Sequence, residues 1–396
     1  MGDAVTIHVG DCREVLRAFQ ADSIDAIVTD PPYGLGFMGK DWDHGVPGVE
    51  FWKEFLRVAK PGAHLVAFGG SRTYHRMACA IEDAGWEVRD CIMWIYGSGF
   101  PKSHNGPWGG TALKPAHEPI VVARKPLIGT VEANHARFGT GALNIDDCRV
   151  GWPDGIAPEV GTPGWGGPAK KSTAVPGQDG DTVERLPPNP DGRWPANVIH
   201  DGSVEVVGAF PLAPGQLANA STNAAQRKTQ NAYGAMRRGR VGEASADSEN
   251  SGPVGFKMKP GKRRLDSGSA ARFFYCAKAT RKDRNDGYDG LPKRQSGMVS
   301  NTSGQHITRR DGGAPAPAAN NHPTVKPTEL MRYLCRLVGP AKGIVLDPFM
   351  GSGSTGRGAL LEGFDFIGIE QDADYAAIAR TRIGAVQLRL PLGACA

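Results

Sequence analysis

A glycine-rich turn close to the C-terminal end constrains the fold of this chain more than any other feature. The stretch GIVLDPFMGSGSTG (residues 343–356) joins an apolar strand to a helix through glycines, an arrangement that lets a cofactor approach backbone amides. The next predicted strand ends at Glu370, and only 26 of the 396 residues follow it. A sheet that binds a cofactor at its first turn needs several more strands. Those strands must therefore come from the N-terminal half of the chain.

The first 125 residues contain the missing strands. Their apolar spacing predicts strands at 23–30, 63–70, 88–96 and 118–125 and helices at 50–60 and 74–86. Towards the C-terminus the same reasoning predicts helices at 327–338 and 356–363 and strands at 343–347 and 366–370. Strands that alternate with helices indicate an α/β fold with a parallel sheet covered by helices on both faces.

Residues 126–321 give much weaker structural signals. They are rich in Gly, Pro, Ser, Asn and Arg, and stretches such as APAPAANN (314–321) cannot build a core. Short apolar islands remain at 193–201 and 271–279. We therefore expect small ordered elements joined by loops.

The charge of the chain is unevenly divided. Residues 221–310 contain 19 Lys and Arg against 7 Asp and Glu, a net charge of +12, whereas the whole chain carries +5. A basic segment attached to an acidic α/β core indicates a polyanion as partner, with nucleic acid first. The alternative is that these charges only solvate an irregular segment.

The composition argues against membrane, disulfide-rich and zinc proteins. No apolar run reaches the roughly 20 residues that span a bilayer, and the N-terminus lacks the pattern of a signal peptide. The seven cysteines are scattered and never form a Cys-x-x-Cys pair, so neither a disulfide framework nor a zinc site is indicated. We expect a cytoplasmic protein with reduced cysteines, no membrane contact and no metal.

The residues around the glycine turn favour one kind of ligand. The G-x-x-x-x-G-K-[ST] motif for phosphates is missing, and Asp347 precedes the turn, where an acid suits a cation better than a pyrophosphate. Glu370 stands where a carboxylate can accept hydrogen bonds from ribose hydroxyls. These features predict S-adenosylmethionine (SAM), an adenosine ligand with cationic groups and no phosphate. The alternative is that the glycines only shape a tight turn.

The motif TDPPYG (residues 29–34) carries the predicted chemistry. The exocyclic amine of a nucleobase is a weak nucleophile because its lone pair is delocalised into the ring. The Asp30 carboxylate and the Pro31 carbonyl can hold both N–H bonds and favour an attacking geometry. Pro31 and Pro32 stiffen this backbone, and Tyr33 can stack on a base turned out of the duplex. The alternative is an ordinary proline-rich turn after a strand.

The order of these motifs resembles that of the amino-group DNA methyltransferases in their circularly permuted arrangement, class β. DPPYG (30–34) comes first, FMGSG (349–353) comes last, and a long region separates them. The resemblance implies a Rossmann-like SAM-dependent methyltransferase fold with a large, loop-rich, basic insertion. In that fold 1–125 and 322–396 form the two parts of the catalytic core, and 126–321 forms the inserted target-recognition region.

The resemblance also implies the roles of individual residues. The target base is assigned to Asp30, Pro31, Pro32 and Tyr33. SAM is assigned to Asp11, Cys12, Lys326, Asp347, Phe349, Gly351, Gly353 and Glu370. Within this set, Asp11 and Cys12 are expected at the adenine of SAM, and Lys326 near its methionine end. Asp11 can also cap the helix that follows it, and Lys326 can equally be a surface residue.

A basic run in the middle region is a candidate contact with DNA. KATRKDRN (278–285) offers Lys278, Arg281 and Lys282 to phosphates, although such a run is often merely solvated. Trp42 and Trp108 are candidate walls or wedges near the site. Residues 126–321 match no recognition region that we can identify.

Together these features predict a site-specific enzyme that transfers methyl from SAM to an exocyclic amine of a flipped base in double-stranded DNA. Adenine N6 is favoured over cytosine N4, since cytosine-N4 relatives more often have Ser at the position of Asp30. Relatives often pair, so a homodimer is an expectation; the chain also resembles solitary phage methylases, and a partner restriction nuclease stays an open question. Two alternatives remain: a SAM-dependent methyltransferase of RNA or protein, and a catalytically silent DNA-binding protein.

Overall fold

The computed structural model divides the chain into two compact units. The first comprises Met1–Cys148, Pro195–Val207 and Phe274–Ala396, and the second comprises Arg149–Trp194 and Gly208–Phe273. The structure describes residues 4–35, 45–99, 106–152, 157, 189–212, 229–231, 234–236, 268–278, 283 and 325–387. The predicted domain boundaries after residues 125 and 321 stay a prediction.

Strands and helices alternate in the N-terminal part of the first unit. They are β1 (Val5–Val9), α1 (Cys12–Leu16), β2 (Ile24–Thr29), α2 (Val49–Val58), β3 (Ala59–Phe68), α3 (Tyr74–Asp83), β4 (Glu87–Ile95), β5 (His117–Arg124) and α4 (Val131–Phe138). Each element predicted between residues 23 and 125 is confirmed, and β1 is an addition to the predicted set.

The rest of the described chain contains shorter elements and then a second α/β part. The elements are β6 (Val198–His200), α5 (Val204–Ala209), β7 (Thr229–Asn231), β8 (Gly234–Met236), β9 (Tyr275–Cys276), α6 (Thr328–Val338), β10 (Ile344–Asp347), α7 (Ser354–Leu361), β11 (Asp365–Glu370) and α8 (Ala373–Gln387). The elements predicted after residue 322 are confirmed. In the described part of the chain, none of the helices is long and apolar enough to cross a membrane.

Nine of the described strands form one sheet in the first unit. Their order is β1-β11-β10-β2-β3-β5-β4-β6-β9. β10 lies between β11 and β2, with Val345 opposite Ala26. The N-terminal half therefore supplies strands for the sheet that carries the glycine turn, as predicted.

The prediction of a parallel sheet is wrong at β5. This strand runs antiparallel to both of its neighbours, β3 and β4, whereas β1, β11, β10, β2 and β3 are mutually parallel. The described residues between β4 and β5 contain no helix, and antiparallel neighbours need no helical crossover. As a result, the first residues of β5 lie at the sheet edge where the parallel strands end.

Apolar side chains cover both faces of the central strands. Ala26 and Val28 of β2 belong to a buried cluster that includes Leu330 of α6. Ile27, between them, belongs to the opposite cluster with Trp52 of α2. A strand buried on both faces reads as an unbroken apolar run, and the predicted helical cover of both faces is confirmed.

The second unit contains a cation held between aromatic rings. The Arg193 guanidinium lies 4.6 Å from the ring centroid of Trp152 and 4.9 Å from that of Phe273. Arg193 also pairs with Val150 through an antiparallel bridge, and β7 pairs with β8 in the same unit. The role of this region in target recognition stays a prediction.

Candidate active site

A cavity of about 1380 Å³ opens at one edge of the sheet in the first unit. It is lined by the segments 10–13, 30–33, 347–352 and 369–372, which follow or end the parallel strands, and by 111–118, which leads into β5. Parallel sheets bind their ligands at the carboxyl ends of the strands. The two predicted motifs therefore face one cavity.

The glycine turn after β10 is held by Glu370 at the end of β11. The Gly351 amide donates to one Glu370 carboxylate oxygen at 2.7 Å, and the Asp372 amide donates to the other at 2.8 Å. Gly351 and Gly353 have φ values of 53° and 79°, where side chains are disfavoured. Burial raises the pKa of Glu370. The turn is thus fixed around an acid that also lines the cavity.

Asp347, at the end of β10, is a buried acid. Its carboxylate accepts hydrogen bonds from the Thr29 hydroxyl at 2.7 Å and from the Phe349 amide at 3.2 Å. Burial raises the pKa of Asp347 to about 7, against the lowering effect of hydrogen bonds from Thr355 and Thr29. A positive group placed beside Asp347 would favour its ionised form.

Asp11 caps helix α1. Its side chain accepts from the Arg13 amide at 2.8 Å and forms a salt bridge with the Arg13 guanidinium at 2.6 Å. The hydrogen bond from Arg13 lowers the pKa of Asp11. Burial raises the pKa of the neighbouring Cys12 thiol to about 12, so this thiol stays neutral. The capping role of Asp11 is observed, whereas the role of both residues at an adenine stays a prediction.

Aromatic rings form the wall next to the glycine turn. The ring of Phe349 lies 5.9 Å from Phe51 and 5.8 Å from Phe55, between ring centroids. The Arg13 guanidinium lies 4.3 Å from the Phe51 centroid. Phe51 and Phe349 both line the cavity, so this wall offers flat apolar surface to a ligand.

The Asp30 carboxylate, after β2, is held by two donors. The Tyr33 hydroxyl donates to one oxygen at 2.8 Å, and the Lys326 ammonium donates to the other at 2.7 Å. Pro31 and Pro32, between Asp30 and Tyr33, also line the cavity. β2 ends at Thr29, so Asp30 and the two prolines leave the sheet directly at the cavity.

Lys326 is buried rather than on the surface. Only 7% of its side chain is exposed, and its ammonium lies 2.7 Å from Asp30 and 3.2 Å from Glu118. It also lies 4.7 Å from the centroid of the Phe68 ring. Burial acts to lower the pKa of Lys326, but the charges of Asp30 and Glu118 outweigh burial and raise it. The structure thus places Lys326 against the residues predicted for the target base.

Tyr33 is a neutral hydrogen-bond donor. Burial, followed by the charges of Asp30 and Glu118, raises the pKa of its phenol well above the usual range. The Tyr33 carbonyl accepts a hydrogen bond from the Thr73 hydroxyl at 2.6 Å. Both ends of the residue are therefore held in place.

Glu118 is a site residue that the sequence reasoning missed. Its carboxylate lies within hydrogen-bond distance of the Tyr33 hydroxyl at 3.1 Å and contacts Lys326 at 3.2 Å. Glu118 reaches this edge only because β5 runs antiparallel to its neighbours. The available signal was an acid directly before the apolar run PIVVA (119–123), which a parallel arrangement assigns to the opposite edge.

The chain matches a protein family over most of its length. The model of the DNA methylase family N6_N4_Mtase matches residues 24–381. The chain belongs to this DNA methylase family. Its members act on N6 of adenine or N4 of cytosine, so the chain is a DNA amino-methyltransferase and its substrate is DNA.

Individual proteins that match this DNA methylase over most of its length have low sequence identity to it. It is 23% identical to the type II methyltransferase M.SfiI of Streptomyces fimbriatus over 94% of this chain and 90% of that protein. The solved PvuII DNA methyltransferase (cytosine-N4-specific) is 14% identical over 99% of this chain and 89% of that chain, with a TM-score of 0.46. The M1.HpyAVI–SAM complex is 16% identical over 96% and 99%, with a TM-score of 0.40. Since both scores are low, the assignment rests on the family match.

The cofactor of this DNA methylase is SAM, as predicted. The residues at the glycine turn fit such a ligand on physical grounds. Burial raises the pKa of Asp347 to about 7, so its carboxyl is only partly ionised at neutral pH, and a sulfonium or ammonium group would stabilise its charged form. Gly351 lines the cavity without a side chain, so a ligand can approach the backbone of the turn closely.

Several residues predicted for this DNA methylase either do not line the cavity or lie outside the described residues. Lys278 is exposed, whereas Arg281, Lys282 and Trp42 lie outside the described residues. Trp108 is 72% exposed, in the segment that leads to β5. Among the described residues, no group of three or more His, Cys, Asp or Glu is suited to hold a metal ion.

Proposed function

We propose that this DNA methylase transfers a methyl group to the exocyclic amine of a base turned out of double-stranded DNA, adenine N6 in preference to cytosine N4. The observation that carries the proposal is the position of the Asp30 carboxylate. It is oriented by Lys326 and Tyr33 and faces the same cavity as the Asp347 turn. An acceptor for the amine and a site for a methyl donor therefore share one space.

The cofactor-binding residues in this proposal surround the glycine turn. When bound, SAM supplies a methyl group activated by a positively charged sulfur. Its contacts are assigned to Asp11, Cys12, Asp347, Phe349, Gly351, Gly353 and Glu370. Glu370 keeps lone pairs for ribose hydroxyls in addition to its two backbone donors, and Asp347 offsets the positive charge of the ligand. Lys326, expected near the methionine end, acts here mainly by orienting Asp30.

The target amine is held by the DPPY motif. Asp30 accepts one amine N–H and the Pro31 carbonyl accepts the other, which turns the nitrogen lone pair towards the incoming methyl. Pro31 and Pro32 keep that carbonyl in a restricted backbone. Tyr33 stacks on the flipped base, which a duplex target requires. The hydrogen bonds from the amine to these residues become strongest when the nitrogen becomes tetrahedral. The residues therefore stabilise the transition state more than the bound substrate.

The recognition of DNA is assigned to the middle region. Residues 126–321 read the target sequence, and Lys278, Arg281 and Lys282 contact phosphates. The negatively charged phosphates of duplex DNA are complementary to the net charge of +12 on residues 221–310. We expect the protein to work in the cytoplasm, and a homodimer is the expected assembly.

The test is a product analysis with purified protein. SAM and double-stranded DNA of mixed sequence are incubated with wild type and with Asp30→Asn, which keeps the shape and removes the charge. We expect N6-methyladenine among the digested nucleosides with wild type only. N4-methylcytosine would overturn the preference for adenine. Methyl groups found only in RNA or protein substrates would overturn the DNA proposal.

Base flipping has its own measurement. A duplex with 2-aminopurine at the methylated position fluoresces more strongly when that base leaves the stack. We expect this increase with Asp30→Asn in the presence of SAM, since the variant still binds. Unchanged fluorescence in a complex that has formed would contradict flipping.

A further inference from the structure

The Tyr33 hydroxyl connects two carboxylates in the cavity. Its oxygen lies 2.8 Å from Asp30 and 3.1 Å from Glu118. A phenol carries one hydrogen and can donate it to only one acceptor at a time. The hydroxyl can therefore turn from Asp30 to Glu118 when Asp30 itself becomes protonated.

Glu118 shares a neighbouring cation with Asp30. Lys326 is the cation that faces both carboxylates, and it lies closer to Asp30 (2.7 Å) than to Glu118 (3.2 Å). Two carboxylates and one ammonium leave one negative charge without compensation. Tyr96, which also senses the charge of Glu118, has a pKa raised to about 12 by burial and stays neutral. Protonation of Glu118 would therefore leave Asp30 and Lys326 as a balanced pair.

We infer that Glu118 is the acceptor for the proton that leaves the amine, and that this proton reaches it through Tyr33. The inference rests on the proposed function. As the N–C bond forms, the bond between the methyl group and its donor breaks and leaves its electron pair on the donor. The N–H bond also breaks, its electron pair stays on nitrogen, and the proton passes to Asp30. Asp30 returns a proton to the Tyr33 oxygen while the phenolic proton moves to Glu118. Asp30 and Tyr33 end as they began, and Glu118 ends protonated.

The position of Glu118 suits release of this proton. A base held by Asp30 covers that carboxylate from water. Glu118 lies 3.1 Å from the Tyr33 hydroxyl at the start of β5, and 20% of its side chain is exposed, the same fraction as for Asp30 before a base binds. The segment before it is solvent-accessible, with Leu113 at 92% exposure. Glu118 can thus pass the proton to water while the base remains bound.

Single-turnover methylation with Glu118→Gln, Tyr33→Phe and the double variant tests the relay. Gln keeps a hydrogen-bond acceptor but cannot take up the proton. We expect Glu118→Gln to slow methyl transfer on the order of a hundredfold, with the Kd values for SAM and DNA unchanged. The double variant should be no slower than Tyr33→Phe alone, because both substitutions break one path. Glu87→Gln is the matched control: Glu87 is ion-paired with Arg124 at the far end of β5, and its loss should not change the rate.

Defined outcomes would overturn the inference. Weaker binding of SAM or DNA by Glu118→Gln at an unchanged rate would make Glu118 only a holder of Lys326. Additive effects of the two substitutions in the double variant would mean that Glu118 and Tyr33 do not act on the same proton path. If Glu118→Gln fails to fold, the solvent isotope effect decides: the wild-type rate should fall in D₂O and that of Tyr33→Phe should fall less, and equal effects would refute the relay. Absence of DNA methylation by wild type would instead refute the proposed function.

Discussion

The ammonium of Lys326 lies 2.7 Å from the carboxylate of Asp30, although 296 residues separate them in the chain. Asp30 follows β2, and Lys326 precedes α6, so each residue comes from a different terminal part of the α/β core. The Lys326 side chain is almost fully buried, and 20% of the Asp30 side chain is exposed. The part of the cavity around Asp30 therefore forms only when the N-terminal and C-terminal parts of the core pack against each other.

Lys326→Met should destabilise the protein strongly. The substitution keeps much of the apolar stem but leaves Asp30 and Glu118 without their shared cation. Removal of one partner from a buried ion pair costs about 3–5 kcal/mol of the free energy of unfolding, measured by urea denaturation. Lys53→Met, at an exposed position of α2, is the control and should change little. A similar small loss for both variants would contradict the importance of the Lys326 contacts.

Gly353→Ala should weaken both folding and SAM binding. Gly353 has a φ of 79°, and an added Cβ would lie 3.0 Å from the side chains of Ala379 and Ile383. Gly363 has the same φ of 79° with no atom within 4 Å of such a Cβ, so Gly363→Ala isolates the backbone strain, about 1–2 kcal/mol. Calorimetry and thermal unfolding should show a larger loss for Gly353→Ala, and weaker SAM binding for that variant alone. Equal losses in the two variants would remove the packing argument.

The affinity for SAM should depend on pH through Asp347. The pKa of this buried acid is about 7 in the ligand-free protein, and a cationic ligand favours its ionised form. At about pH 6 most Asp347 side chains carry a proton, which must be released when the ligand binds. At about pH 8 most have already lost this proton, so binding is not opposed in this way. The Kd should therefore rise as the pH falls through 7.

Two variants identify the group responsible for this pH dependence. Asp347→Asn should bind SAM more weakly with a flatter pH profile. Glu370, whose pKa is also raised by burial, is the other acid at the turn, and Glu370→Gln should keep the dependence. A wild-type Kd that is constant between about pH 6 and 8 would contradict a cation beside Asp347.

Asp30→Ala should separate cofactor binding from catalysis. The Asp30 side chain contacts Tyr33 and Lys326 and is proposed to touch the base rather than SAM. Methyl transfer should be lost, while titration calorimetry should give a Kd for SAM close to that of wild type. A collapse of SAM affinity in a folded variant would show that Asp30 belongs to the cofactor site.

Combined replacement of Lys278, Arg281 and Lys282 by Ala should weaken DNA binding at every sequence. Each lost phosphate contact should reduce the slope of log K against log salt by about 0.9, measured by fluorescence anisotropy. Replacement of Lys53, on α2, is the control for charge alone. An unchanged slope would mean that the basic run is only solvated.

The position of the secondary structure was readable from the sequence because the central strands of this sheet are buried on both faces. Residues 26–28 of β2 and 344–346 of β10 are short apolar runs, and the chain turns into the cavity at Asp30 and Asp347. The glycine turn also has a local signal, since positive φ values at Gly351 and Gly353 require that residue type. These features depend on near neighbours in the chain.

The contacts at the reacting end could not be predicted in this way. Glu118 joins the site because β5 is reversed, and a strand pattern alone does not reveal its direction. The local sequence around Lys326 does not distinguish it from a surface lysine, because its burial depends on contacts with Asp30 and Phe68. Both features are set by contacts between parts of the chain that are distant in sequence.

The position of β10 in the centre of the sheet bears on how the protein is made. During translation, β2 leaves the ribosome more than 300 residues before Val345 and Leu346, the partners of Ala26 and Ile27. Until then the backbone groups along one edge of β2 have no strand partner, and such edges favour aggregation or chaperone binding. Methylating activity can therefore arise only after synthesis has passed β10, so products that terminate before this strand should be inactive.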